Sequence, residues 1–232
     1  MFTKSKNSVP RRIGFLCSGN GGLFRKTCEA CRQGWLISDI VVCIADRVCG
    51  SQEVAKEFQI PRVMVERKAY ETREAFSDAV LEVLRSHDVD LVVLTFDSLL
   101  TGSILRQYEN RMINVHLSLL PAFPGFGGVK KAIQRGVRFG GVTLHWVDES
   151  TDGGPILSQS VVPIAPRDDT AAYGRRLFES GWPQLVQMIR WYEEGRVTVD
   201  EKRHPFVKEA DYRGMTTCPA LELTDVMGDE MP

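Results

Sequence analysis

From Arg12 onward, short apolar runs rich in β-formers alternate with amphipathic stretches of helical period, and this alternation restricts the fold more than any other feature of the chain. It is the pattern of a parallel sheet with helices on its faces. The runs are Ile13 to Cys17, Ile40 to Ala45, Arg62 to Val65, Leu91 to Leu94 and Met112 to His116. Between them, Leu23 to Gln33, Ser51 to Phe58, Thr72 to Ser86 and Thr101 to Tyr108 read as helices. The third is the clearest, with Ala75, Phe76, Ala79, Val80, Val83 and Leu84 on one face, Thr72 at the N-cap position and Glu74 in the first turn. After a Pro/Gly-rich loop, Pro121 to Gly128, a short helix is expected from Val129 to Gln134. Two further runs, Gly141 to Val147 and Ile156 to Pro163, can pair antiparallel at the sheet edge. Asp168, Asp169 and Thr170 open a last helix through Trp182 to Gly195, with an interruption expected near Pro183. The expected fold class is α/β: an open, mostly parallel twisted sheet with helices on both faces and an antiparallel edge after the fifth strand. Residues 12–196 form the expected domain, and 197–232 read as a C-terminal extension, a strand and a tail whose last dozen residues are expected to be mobile.

Composition excludes several classes of function. With 232 residues, 43% of them apolar and 25% charged, the chain can bury an ample core. Its net charge of −1 gives no electrostatic case for nucleic acid or for an anionic membrane. The polar, basic start leads only into the short apolar run Ile13 to Cys17, which is too short for a membrane span or a signal core, so a cytoplasmic protein is expected. Four of the six cysteines (Cys17, Cys28, Cys31, Cys43) lie in or beside apolar runs and read as reduced, packed thiols. Cys28 and Cys31 form a C-x-x-C, but no second pair with ligand spacing follows, so no metal is expected.

Two motifs carry chemistry. Ser18-Gly19-Asn20-Gly21-Gly22 lies directly after the first strand and before a helix, where free backbone N–H groups and the helix dipole favour an anion such as phosphate. A tight turn without a ligand would look the same. No Gly-Lys-Ser/Thr follows, and Phe24 stands where a dinucleotide fingerprint needs its third glycine. Asp46 supplies the acid that a nicotinamide enzyme would place after its second strand, but the missing glycine counts against that class. Arg73, at a helix start on the same sheet, could lend the anion site a cation.

The second motif is Asn114 and His116, two apart on an apolar strand, with Asp152 in a later Asp-Gly-Gly-Pro. Side chains two apart on a strand share a face. Alone, the pair could be a capping amide and a core histidine; the carboxylate adds what acyl chemistry needs. When an amine attacks an acyl carbon, an oxyanion forms and the nitrogen must lose a proton. An amide and an imidazole can donate to the oxyanion while a carboxylate relays the proton, so no nucleophile from the chain is required. No G-x-S-x-G elbow is present. A metal held by His116, His145 and Asp152 lacks a diagnostic spacing.

Taken together, Ser-Gly-Asn-Gly after the first strand, Thr-Arg-Glu-Ala-Phe on the third helix, Asn-Val-His-Leu-Ser-Leu-Leu-Pro and Asp-Gly-Gly-Pro-Ile-Leu resemble the folate-dependent formyltransferases, specifically their glycinamide ribonucleotide transformylase branch, over about Arg12 to Arg196. The resemblance implies transfer of a formyl group from the co-substrate 10-formyltetrahydrofolate to an amine. Asn114 and His116 would then polarise the formyl carbonyl, and Asp152 would assist proton transfer. It also implies that Gly19, Asn20, Gly21 and Gly22, helped by Arg73, hold a substrate phosphate, with Glu179 near its ribose. Folate would lie between Phe96, Ser98, Leu99 and Leu100 on one side and the Val147-Asp148 loop on the other, held largely by backbone groups.

Three departures from the branch face the ligands. Phe96-Asp97-Ser98-Leu99-Leu100 stands in place of Phe-Met-Arg-Ile-Leu, Gly127-Gly128-Val129 replaces His-Thr-His, and Leu117 replaces a proline. These changes are what a relative acting on a different amine would show; the acceptor expected first is still the branch's own, glycinamide ribonucleotide, a phosphorylated small-molecule amine. A hydroxyornithine of siderophore assembly, an amino sugar nucleotide and a degenerate folate-binding paralogue stay open, as does a homodimer.

Overall fold

A computed structural model describes residues 8–202 and 204–222. Ten strands and six helices follow in chain order: β1 (Arg12–Cys17), α1 (Gly22–Arg32), β2 (Asp39–Ala45), α2 (Ser51–Glu57), β3 (Arg62–Met64), α3 (Arg73–Ser86), β4 (Leu91–Thr95), α4 (Ser103–Gln107), β5 (Met112–His116), α5 (Gly128–Arg135), β6 (Phe139–Trp146), β7 (Ile156–Pro163), α6 (Thr170–Glu193), β8 (Val197–Val199), β9 (Pro205–Val207) and β10 (Thr217–Cys218). Eight of the strands form one sheet in the order β10-β7-β6-β5-β4-β1-β2-β3. The β3-β2-β1-β4-β5 part is parallel, and β6, β7 and β10 add antiparallel beyond β5. The expected fold class holds, including the antiparallel edge after the fifth strand.

Alternation along the strands builds a core on each face. Ile13, Phe15 and Cys17 of β1 point to α1, α2 and α6, where Phe24, Val54, Leu185 and Ile189 are buried. Leu16 with Val42 and Ile44 faces α3 and α4, against Phe76, Val80, Leu84 and Ile104. Thr72 caps α3 as expected, its hydroxyl accepting from the Ala75 N–H at 3.1 Å.

Strand order reverses between β1 and β4, and ligands of open α/β sheets bind outside the carboxyl ends of the strands at such a switch point. The loops after β1 and β4 flank it, and β5, with Asn114 and His116 at its end, lies next in the sheet. The function-bearing segments are therefore gathered at one edge of the sheet by topology alone.

The structure differs from expectation in the last helix. α6 runs unbroken past Pro183. Proline removes one helical hydrogen bond, at a cost of about 3 kcal/mol, and the carbonyl left without its partner belongs to Glu179, an exposed residue. Leu177, Leu185, Val186, Met188 and Ile189 are all buried on both sides of the proline. Each stabilises by about 1.5–3 kcal/mol, so packing outweighs the missing bond. In the C-terminal extension, β8 and β9 pair as a hairpin and β10 lengthens the sheet at β7, while the residues from 223 onward, where most of the expected tail falls, lie outside the described residues.

Phe76 links core and site, because its fully buried ring stacks within 6.1 Å of Phe96 in the loop after β4. Phe76→Ala is expected to cost about 3–5 kcal/mol of unfolding free energy in urea titrations.

Candidate active site

The carboxyl ends of β4 and β5, the loop before α5 and the loop after β6 enclose a cavity of about 530 Å³, the size of a small-molecule site. Asn114, His116 and Asp152 all line it. Asn114 Nδ2 donates to Asp152 Oδ1 at 3.3 Å, and His116 Nδ1 lies 3.3 Å from Asp152 Oδ2. The three side chains expected to converge do so.

A fourth residue completes the group. His145 stands directly opposite Asn114 across the β5–β6 pair, and the β6–β7 register shifts at Leu144/His145, the kind of bulge that re-aims a side chain beside a site. Its Nδ1 lies 2.9 Å from the Trp146 carbonyl, so that nitrogen carries the proton and Nε2 is left to accept from Asn114 Nδ2 at 3.0 Å. Sequence reading considered His145 only as a metal ligand. The pairing that makes it an orienting partner of Asn114 depends on strand register, which no local spacing reveals.

Asp152 is the hub. Its Oδ2 accepts the Gly125 N–H at 2.7 Å, stapling the loop before α5 to the loop after β6. The His145 ring when its Nε2 carries a proton, then the Gly125 N–H and the His116 ring, hold its carboxyl below the usual carboxylate range against the opposing effect of burial. With Nε2 accepting from Asn114, the Gly125 N–H is the contact that acts. Of these contacts the Gly125 bond is the short one, since His145 Nε2 lies 3.7 Å from Oδ1. His116 Nε2 lies 3.0 Å from the Phe123 carbonyl and so carries a proton. Only the doubly protonated ring can then donate to Asp152 as well.

The Asp-Gly-Gly-Pro motif is explained by space. A Cβ on Gly154 would stand 1.9 Å from the Trp146 carbonyl oxygen. Asp152 itself has φ 53°, a left-handed backbone that aspartate tolerates better than most residues.

The folate-side expectations gather in the same cavity: Phe96, Ser98, Leu99, Leu100, Val147 and Asp148 line it. Arg73 does too, beside the 96–101 wall, whereas Gly19, Asn20, Gly21, Gly22 and Glu179 are not among its lining residues. The glycine loop nevertheless adjoins it, because Leu23, the residue after the loop, is part of the lining. Gly21 has φ 74° and begins α1 without a side-chain cap or an acid in the first turn. It also packs on α2, where a Cβ would stand 2.9 Å from the Ser51 Cα. Glu179 is exposed and accepts from the Trp182 indole at 3.1 Å, one residue beyond Phe178, whose ring covers Gly22. Lining residues not picked out for this site from sequence include Thr95, Thr101 and Phe126, which carry no motif of their own.

Among the described residues, no three His, Cys, Asp or Glu side chains form a group fit for a metal ion. Burial pushes the Cys28 thiol well up and the Cys31 thiol up to about 12, so neither readily becomes the thiolate that a metal takes. No helix among the described residues is long and apolar enough to cross a membrane.

A cavity beside the switch point of a mixed sheet, lined by an amide, two imidazoles and a carboxylate in mutual contact, holds the groups that acyl transfer requires. The chain belongs to the formyl transferase family, whose model matches residues 11–189. It is 37% identical over 193 residues to a phosphoribosylglycinamide formyltransferase of Mycobacterium tuberculosis, covering 83% of this chain and 89% of that one. To the enzyme of that name from Bacillus subtilis it is 33% identical over 184 residues, 77% of this chain and 94% of the other. The crystal structure of glycinamide ribonucleotide transformylase 1 from Symbiobacterium toebii superposes with TM-score 0.83 at 32% identity, covering 88% of this chain and 99% of that one. A formyltetrahydrofolate deformylase from Pseudomonas syringae also superposes, with TM-score 0.80 at 26% identity over 87% of this chain and 67% of its own.

The lowered carboxyl of Asp152 gives a signed expectation for stability. A carboxyl depressed in the folded state stabilises fully above its unfolded value, about 3.9, and that contribution is lost as pH falls through the folded value. The stability difference between the wild type and Asp152→Asn, followed by thermal melts, is expected to stay level above about pH 5 and to change only below about pH 4.

Proposed function

We propose that this protein transfers the formyl group of 10-formyltetrahydrofolate to the amine of glycinamide ribonucleotide by direct attack through a tetrahedral intermediate. The observation that carries this reading is the Asn114–His116–Asp152–His145 group in the cavity wall, together with relatives named for that acceptor. A wall of Phe96, Leu99, Leu100 and Val147 suits a flat bicyclic ring, and the 96–101 and 147–152 segments bring backbone donors and acceptors to its edge.

The geometry orders the roles. Both Asn114 N–H groups are engaged, one by His145 at 3.0 Å and one by Asp152 at 3.3 Å. The second bond is the longer, and it is the one a formyl oxygen can take over as negative charge develops on it. His145 keeps the amide turned the right way during that exchange. His116 becomes the second donor only with its ring doubly protonated, when Nδ1–H turns from Asp152 to the oxyanion, and Asp152, relieved of the Asn114 bond, receives the amine proton directly or through water. Collapse of the intermediate breaks the formyl C–N10 bond, and the proton taken by Asp152 passes through water to N10 of the departing tetrahydrofolate, which returns the carboxylate to its starting state.

We place the acceptor phosphate at Gly19 to Gly22, where the uncapped N-terminus of α1 offers N–H groups, and Glu179 on the same side of the molecule. Arg73 is assigned to the donor side in this scheme because it lines the cavity, as residues 96–101 do, whereas Gly19 to Gly22 do not. The transfer chemistry is assigned to residues 12–196, a division supported by the extent of the family match, with 197–232 as an extension. A second reading, formylation of an unphosphorylated amine, is favoured by Gly127 to Val129, which line the cavity where the resembling branch carries His-Thr-His.

Purified protein given 10-formyltetrahydrofolate and glycinamide ribonucleotide is expected to yield the formylated amine and tetrahydrofolate. Release of formate without a formylated product would overturn the proposal. Asp152→Asn is expected to lower kcat by about a hundredfold or more while the fold persists. Inorganic phosphate is expected to compete with the acceptor, and absence of competition would support the second reading.

A further inference from the structure

Asp46, at the carboxyl end of β2, is the acid that a nicotinamide enzyme would turn toward a ribose, but it has no such freedom here. Its side chain is 0% exposed and its carboxylate is already engaged by neighbouring side chains. Arg47 reaches it twice, Nε to Oδ1 and Nη2 to Oδ2, each at 3.0 Å, and the Ser98 hydroxyl donates to Oδ2 at 2.6 Å. Arg47 also pairs with Asp97 at 3.1 Å. Asp97 and Ser98 are consecutive residues of the cavity wall, and Ser98 stands where the resembling branch carries an arginine. A buried acid therefore grips the segment in which this chain departs from the pattern.

The same segment is tied to the other binding loop. The Asp97 N–H donates to Ser18 Oγ at 2.7 Å, and the Ser18 N–H donates to the Thr95 carbonyl at 3.3 Å. Ser18 opens the glycine loop, whose Gly19 carbonyl accepts from the Ser51 N–H at 3.2 Å. The wall after β4 and the loop after β1 are thus fixed in register by short bonds, with Asp46 as the anchor beneath the wall.

We infer that Asp46 is a positioning residue that sets the donor-side wall of the cavity through Ser98 and, by way of Arg47, through Asp97. The inference rests on the formyl-transfer reading above. Ser98 gives its one proton to Asp46, so its hydroxyl does not donate to a ligand; its part is to hold the backbone from Phe96 to Leu100 where a flat ring meets it. Loss of that charge-assisted bond loosens the wall and weakens ground-state and transition-state binding of the donor alike.

Ser98→Ala removes only the hydroxyl and leaves the Asp46–Arg47 pair, so folding is not at risk in the way it is for Asp46→Asn. Ser98→Ala is expected to raise the donor KM by about tenfold, the effect of one such bond, with a smaller change in kcat and the acceptor KM held. Ser98→Thr, which keeps the hydroxyl, is expected to restore the donor KM. Asp46→Asn is expected to follow Ser98→Ala in donor KM. Equilibrium titration with tetrahydrofolate, which undergoes no reaction, should show the same order of affinities. If wild-type protein transfers formyl groups and binds tetrahydrofolate while Ser98→Ala matches it in donor KM, the inference fails and the function stands. A fall in kcat and melting temperature with donor KM unmoved would likewise overturn it, as a structural role only. Wild-type protein that neither binds tetrahydrofolate nor consumes the donor would remove the functional reading, and this inference with it.

Discussion

The bond from the Gly125 N–H to the Asp152 carboxylate, 2.7 Å long, is the contact on which the site's geometry turns. It joins two loops far apart in sequence, and each delivers something the other needs. The loop before α5 brings the Phe123 carbonyl that orients His116, and the loop after β6 brings the carboxylate itself. The acid is thereby held by a backbone donor independently of its side-chain partners Asn114, His116 and His145. A charge held by a main-chain donor is preorganised, and preorganised charge is what stabilises a transition state.

Asn114 and His116 sit on β5, between β4 and the antiparallel β6, where the sheet allows little play. The walls that meet ligands are loops, and each is tied down by polar contacts of its own. The 96–100 segment is held by Asp46 and Ser18, while Asp148 turns its loop through the Ser150 N–H at 2.8 Å. The strands carry Asn114, His116 and His145, and the loops carry Asp152 and the remaining walls, a division in which loop changes can alter ligand choice while the strands stay fixed.

The sheet was legible because its strands are short, apolar and separated by helical periods; Met112 to His116 and Ile156 to Pro163 match the observed strands residue for residue. Asn114, His116 and Asp152 were legible because polar groups on an apolar strand and beside a double glycine demand a reason. His145 was hidden because its role depends on register across β5 and β6, a non-local fact. Continuity through Pro183 was hidden for the same cause, since burial of Leu185, Met188 and Ile189 is decided by the sheet beneath them. Arg73 was legible as a cation near the site, but its side of the cavity is fixed by the packing of α3 against the loop after β4, which sequence spacing does not state.

The left-handed backbone at Asp152 has an evolutionary consequence. Few residues other than glycine accept such a conformation without strain, aspartate and asparagine foremost among them. The position is thereby filtered by main-chain geometry before selection on chemistry begins. A lineage that gave up transfer could drift to asparagine without backbone strain, losing only what the charge contributes, and remain one nucleotide change from recovery. Drift to a β-branched residue would deform the loop and close that path.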